Sequence, residues 1–181
     1  MATTGSRPRT RRAAAPTQAG PGTLDELAAL GPDELLALYR TARTPRVEDL
    51  SGKLRGRMLA SPLVKHGAVA GFLKRFAADG PMPWQGKTFR PLGKDRGEGI
   101  YRVFGNRANW YRFETSVAPS RAGDFDALQL DYDLESNPFF VRPIKDEVRE
   151  VAPGLWLGLA YLHTKKKDRL GIFFALADLK S

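Results

Sequence analysis

Two kinds of side chain in this sequence have the types and spacing for chemistry on a small molecule. The first are acids. Asp131-Tyr132-Asp133 sets two carboxylates two residues apart, on one face if the segment is a strand. Paired carboxylates split their pKa values and so divide into an acid and a base. Asp131, Tyr132 and Asp146 are the acid–base candidates. A plainer reading of the first pair is solvation, or binding of turn N–H groups, because Asn137-Pro138 turns the chain just afterwards. Asp146-Glu147, followed by Arg149-Glu150, reads most simply as a charged surface ladder. The second kind are cations set among aromatic residues. Lys87, Arg112 and Arg149 can each orient a carboxylate or carbonyl group.

Much other chemistry is excluded. The 181 residues contain no cysteine, which removes disulfides, thiolate nucleophiles, iron–sulfur clusters and Cys-based zinc sites together. Only two histidines occur, His66 and His163, so a three-His metal site is impossible. Ser61, Ser116 and Ser120 lack the context of a nucleophile elbow, and Gly97-Glu98-Gly99 is a turn with no following helix to bind phosphate. No metal and no cofactor is expected.

The elements that must position these residues change character along the chain. Residues 1–22 carry Arg7, Arg9, Arg11 and Arg12 but no Leu, Ile, Val or aromatic residue, and read as a disordered tail. Residues 23–79 read as helical. Thr23 and Glu26 have capping-box spacing. A second helix begins at Asp33-Glu34 with Leu35, Leu38, Tyr39 and Ala42 as its apolar stripe. Arg55-Gly56-Arg57 suits a short strand, and Pro62 opens a third helix whose stripe is Val69, Phe72, Leu73 and Phe76.

After Asp79-Gly80-Pro81 the period becomes alternating. Strands are predicted at 84–89, 100–105, 110–117, 127–133, 155–163 and 170–177, while 144–151 fits a strand or a single helical turn. The short connections make these strands antiparallel. The last two strands are apolar on both faces: Leu155, Leu157, Leu159 and Tyr161 alternate with Trp156, Gly158, Ala160 and Leu162. Such strands are covered on both sides, as where a barrel wall lies between a cavity and helices. Arg112 and Glu114 face one way, as a surface pair or a buried polar pair. The fold class predicted is mainly β: a lipocalin-like antiparallel barrel or curved sheet over residues 80–181, forming one structural unit with about three N-terminal helices.

A formal net charge of +9 permits a nucleic-acid or anionic-surface reading through the Arg tail and Lys165-Lys166-Lys167. The plainer reading is a solubilising tail and a solvated hairpin tip. Arg11-Arg12 hints at an export signal, but no apolar stretch follows, and no run is long enough to span a bilayer. The location expected is cytoplasmic, with no specific nucleic-acid partner and the oligomeric state left open.

A series of short motifs adds to this. They are Leu50-Ser51-Gly52, Gly56-Arg57-Met58-Leu59, Trp84-Gln85-Gly86-Lys87-Thr88-Phe89, Leu130-Asp131-Tyr132-Asp133, Ile144-Lys145-Asp146-Glu147-Val148-Arg149 and Leu155-Trp156-Leu157-Gly158. Their order resembles a family of uncharacterised bacterial proteins. More distantly it is similar to the GXWXG-type domains of unknown function, which share a W-x-G-K-x-F segment. The GXWXG signature itself is absent here. The resemblance implies a small lipocalin-like barrel and supplies no catalytic residues.

The expected function is binding of a small apolar or amphipathic molecule in the barrel. Aromatics from several strands would line the cavity: Trp84, Phe104, Tyr111, Phe113, Tyr132, Trp156, Tyr161 and Phe174. Lys87, Arg112 or Arg149 would orient the ligand. The alternative is a cofactor-free cyclase or isomerase in the same cavity, with an acid or base from Asp131, Tyr132 or Asp146.

Overall fold

Alternation of apolar residues along successive segments is what a closed sheet needs, because one side of every strand must fill the interior. The computed structural model describes residues 20–62, 84–103 and 108–179. Eight strands run β1 (Gly52–Met58), β2 (Trp84–Pro91), β3 (Arg96–Val103), β4 (Ala108–Pro119), β5 (Asp126–Asp131), β6 (Ile144–Ala152), β7 (Leu155–His163) and β8 (Asp168–Asp178). Each is antiparallel to the next, and β8 pairs with β1 to close the barrel. The segment at 144–151 is thus a strand, and the short strand at 55–57 extends to seven residues. The expected third helix, the tail up to Ala19, His66 and Phe104 lie outside the described residues.

Two helices precede the barrel, α1 (Leu24–Ala28) and α2 (Pro32–Thr41). The Thr23 hydroxyl accepts from the Glu26 N–H at 3.2 Å, and the Glu26 carboxylate accepts from the Thr23 N–H at 3.1 Å. This is the predicted capping box. Pro32 occupies the first turn of α2, where its missing N–H costs nothing.

The helices cover the outward face of β7 and β8. Leu24, Leu27, Leu35 and Tyr39 pack there with Leu157, Leu159, Phe173 and Ala175. The inward face of the same strands carries Trp156, Phe174 and Leu176 into a separate core. The two-sided apolar pattern of these strands therefore has the predicted cause.

The outer interface also buries charge. Glu147 accepts from the Tyr39 hydroxyl at 3.1 Å, the Ser120 hydroxyl at 2.6 Å and the Arg121 N–H at 3.0 Å. It is fully buried. Four rows of contact thus fix α2 to the barrel: apolar packing, Glu147, an Arg43–Glu150 backbone bridge, and Arg149 against the end of the helix.

Candidate functional site

The barrel is solid at one end and hollow at the other. A 3-10 turn at Val47–Asp49 sits against β3 and β4 and, with Leu50, closes the solid end. Below it Leu54, Phe89, Phe113, Leu128, Trp156 and Leu176 fill the interior. Small inward residues make room for the rings. A Cβ on Gly158 would lie 2.2 Å from the Phe174 ring, and one on Gly99 would lie 2.2 Å from Phe113.

The other end is formed where β1, β3, β5 and β7 finish and the even strands begin. A cavity of about 70 Å³, open at its mouth, occupies it. Trp84, Tyr101, Tyr111, Ile144, Ile172 and Phe174 supply most of the apolar wall, with Met58, Val141, Ala160 and Leu162 completing it.

Lys87 lies at the boundary between the two halves. Its position follows from a β-bulge. Trp84 and Lys87 are three residues apart, so an even strand would send them to opposite faces. The register between β2 and β3 shifts between Trp84 and Gly86. Gly86 takes φ 114°, and a Cβ there would lie 2.1 Å from the Leu54 carbonyl oxygen, so glycine is required. The extra residue returns Lys87 to the inner face, where both it and Trp84 line the cavity.

The ammonium group of Lys87 is almost wholly buried, at 1% exposure. It donates to Asp146 Oδ2 at 2.8 Å and to the Tyr132 hydroxyl oxygen at 2.5 Å. The Tyr132 hydroxyl in turn donates to Asp146 Oδ2 at 3.3 Å. Five ring centroids surround Nζ: Tyr101 at 4.9 Å, Phe174 at 5.0 Å, Tyr132 at 5.1 Å, Phe113 at 5.5 Å and Trp84 at 5.8 Å. Rings attract a cation through their negative faces, and more so where water is excluded.

Burial pushes the Lys87 ammonium down from its ordinary range, and the Asp146 carboxylate opposes that change. Burial, reinforced by the Asp146 charge, pushes the Tyr132 and Tyr101 phenols up, so both stay protonated. One acceptor is left over. Asp146 Oδ1 is buried and has no hydrogen-bond partner, and the same is true of Trp84 Nε1. Buried polar atoms are nearly always paired. Arg102 Nε, Arg149 Nε and Trp156 Nε1 also lack partners but lie away from the cavity, so Asp146 Oδ1 and Trp84 Nε1 are the two such atoms that belong to cavity-lining residues.

The predicted residues divide between the two faces. Trp84, Lys87, Tyr111, Tyr132, Asp146 and Phe174 line the cavity. Tyr161 borders it, but its ring packs in the outer core with Tyr39 and Leu159, 5.8 Å from the Arg121 guanidinium, so it is corrected to the outer face. Phe113 and Trp156 belong to the filled end, Phe113 forming the floor under Lys87. Three further candidates are corrected. Arg112 alternates outward with Glu114, and both are exposed, so they form no buried pair. Arg149 shares the outer face of β6 with Lys145 and Glu147. Its guanidinium donates to the Tyr39 and Arg40 carbonyls at 3.3 and 3.1 Å and lies over the Phe125 ring.

Asp131 is the third. It is exposed, pairs with Lys145 and accepts from the Asp133 N–H at 2.9 Å. Asp133 pairs instead with Arg142, so the two acids form no acid–base dyad. The turn-binding reading of this motif is the one the structure bears out.

Asp146-Glu147 is not a surface ladder. The strand sends Asp146 inward to Lys87 and Glu147 outward to α2, and both are buried. A signal was available: Asp146 lies on one strand face with Ile144 and Val148, and a carboxylate on an apolar face demands a cation. Tyr101, Ile144 and Ile172 were also not anticipated on the cavity wall. Among the described residues no cluster of three or more His, Asp or Glu side chains is placed to hold a metal ion. Among them also, no helix is long and apolar enough to cross a membrane.

No family model and no curated protein matches this sequence. Among solved structures, a crystal structure of a protein from Thermomonospora curvata is similar at 17% identity, covering 82% of this chain and 87% of that one, with a TM-score of 0.48.

Proposed function

We propose that this protein binds a small, largely apolar molecule in the hollow end of its barrel, with the molecule's polar end directed at Lys87, Asp146 and Tyr132. One observation carries the reading. An open, aromatic-walled cavity ends on a buried polar cluster that still has an unused acceptor, Asp146 Oδ1. Binding sites of small molecules combine this kind of apolar wall with a few fixed polar groups.

The unused oxygen also favours a second reading, a cofactor-free cyclase or isomerase. In it Asp146 Oδ1 would accept a proton from the bound molecule and Tyr132 would stabilise the charge that develops.

The test is a titration followed by tryptophan fluorescence, because Trp84 lines the cavity. Cinnamyl alcohol serves as an apolar probe with one hydroxyl. Saturable quenching is expected in the wild type and should be lost in Ile172→Trp, which fills the cavity from its β8 wall. Quenching that persists in that variant would place the probe elsewhere and remove the reading.

A further inference from the structure

A primary amine at the bottom of an apolar slot is a poor anchor if its only task is to hold a ligand by charge. Its charge is already matched by Asp146, and a neutral hydroxyl or amide would serve an apolar guest at lower desolvation cost. An amine in that setting is suited to one reaction that no other side chain here performs. We propose that Lys87 captures an apolar, conjugated aldehyde or ketone as a covalent imine, an inference that rests on the binding reading above and names its ligand class.

The geometry supplies each proton transfer. Lys87 passes a proton along its 2.8 Å hydrogen bond to Asp146 Oδ2, leaving a neutral amine and a carboxylic acid. The Nζ lone pair attacks the carbonyl carbon, a C–N bond forms, and the C=O π pair moves to oxygen. The Tyr132 hydroxyl, in contact with Nζ, hands a proton to that oxygen and is reprotonated from the nitrogen, giving a neutral carbinolamine. Asp146 then returns its proton to the carbinolamine hydroxyl. The C–O bond breaks, water leaves, and the nitrogen lone pair completes the C=N bond as a protonated imine. The sum is one ammonium and one carbonyl compound giving one iminium and one water. The cation remains beside the Asp146 carboxylate, so the buried charge pair is conserved from start to finish.

Three further features favour this ligand class. The aromatic wall stacks on a conjugated chain. The ring cage around Nζ suits an iminium as well as an ammonium. Burial lowers the protonation of this lysine, as for other amines made nucleophilic by an apolar pocket.

The experiment uses the full chain with trans-cinnamaldehyde and sodium cyanoborohydride, which fixes any imine as a stable secondary amine. Intact mass counts the adducts and peptide mapping locates them. The expected result is one adduct, at Lys87, formed about tenfold faster than at any single exposed lysine such as Lys53, Lys94 or Lys165. Ile172→Trp, which keeps Lys87, should abolish the Lys87 adduct and leave the slow surface labelling. Labelling spread over surface lysines without preference for Lys87, while cinnamyl alcohol still binds, would overturn the imine and leave the binding reading standing. Failure of the alcohol to bind, together with no adduct at Lys87, would overturn both.

Discussion

The Lys87–Asp146 pair can be tested apart from any ligand. Its side chains are 2% and 5% exposed and 2.8 Å apart. At the effective dielectric that reproduces measured pairs, charges this close attract on the order of 5 kcal/mol, and desolvation cancels much of that. Removing one partner leaves the desolvation cost with no return. Lys87→Met or Asp146→Leu alone should therefore cost about 3–5 kcal/mol. The double variant replaces both charges by apolar groups of similar size and should recover most of the loss. Urea unfolding followed by tryptophan fluorescence measures this, with each single variant lowering the midpoint by roughly 2 M. A further handle is pH. Lys87 holds its proton less tightly in the folded protein than in the unfolded chain. Between its lowered pKa and the ordinary lysine value near 10.4, the unfolded chain binds more protons and stability rises with pH. Asp146→Leu should therefore regain stability as pH is raised from neutrality towards 10, and Lys87→Met should not. Single-variant losses that simply add in the double variant would refute the claim that the two charges act as a buried pair.

Two other expectations concern packing. Gly158→Ala drives a methyl group into the Phe174 ring and should destabilise the protein by about 1–3 kcal/mol, with partial recovery when Phe174→Leu is added; thermal melts report both. Arg149→Met removes the guanidinium from the Tyr39 and Arg40 carbonyls, so amides in the last turn of α2 should exchange faster while probe binding in the cavity is unchanged. Loss of binding in that variant would return Arg149 to the site.

The barrel was legible because its evidence is local. Most strands show their period, most turns a glycine or asparagine, and the two-sided β7 and β8 announce cover on both faces. The candidate site was legible in its members and not in its pairing. Lys87, Tyr132 and Asp146 each stood out, yet they come from distant strands, and only closure of the sheet brings them together. Which way a cation points depends on strand parity, and parity is reset by bulges. Gly86 turns Lys87 inward, whereas even pairing from Ile144 to Glu150 in β6 turns Arg149 outward. A glycine three residues into a strand announces such a reset only weakly. Asp146 and Glu147 differ only in parity, so one reaches the cavity and the other a helix.

Closure of the sheet has a consequence for association. Strand addition, whether by a second copy or by an extended peptide, needs a row of unpaired backbone groups along an open side. Here β8 returns to β1 over five residue pairs, from Leu54 with Asp178 to Met58 with Phe174, and every described strand has a neighbour on each side. The described strands therefore offer no open edge for a second copy to extend, and a contact made through them would rest on side chains. The Phe139 and Phe140 pair, exposed on the loop between β5 and β6, is the kind of surface such a contact would use.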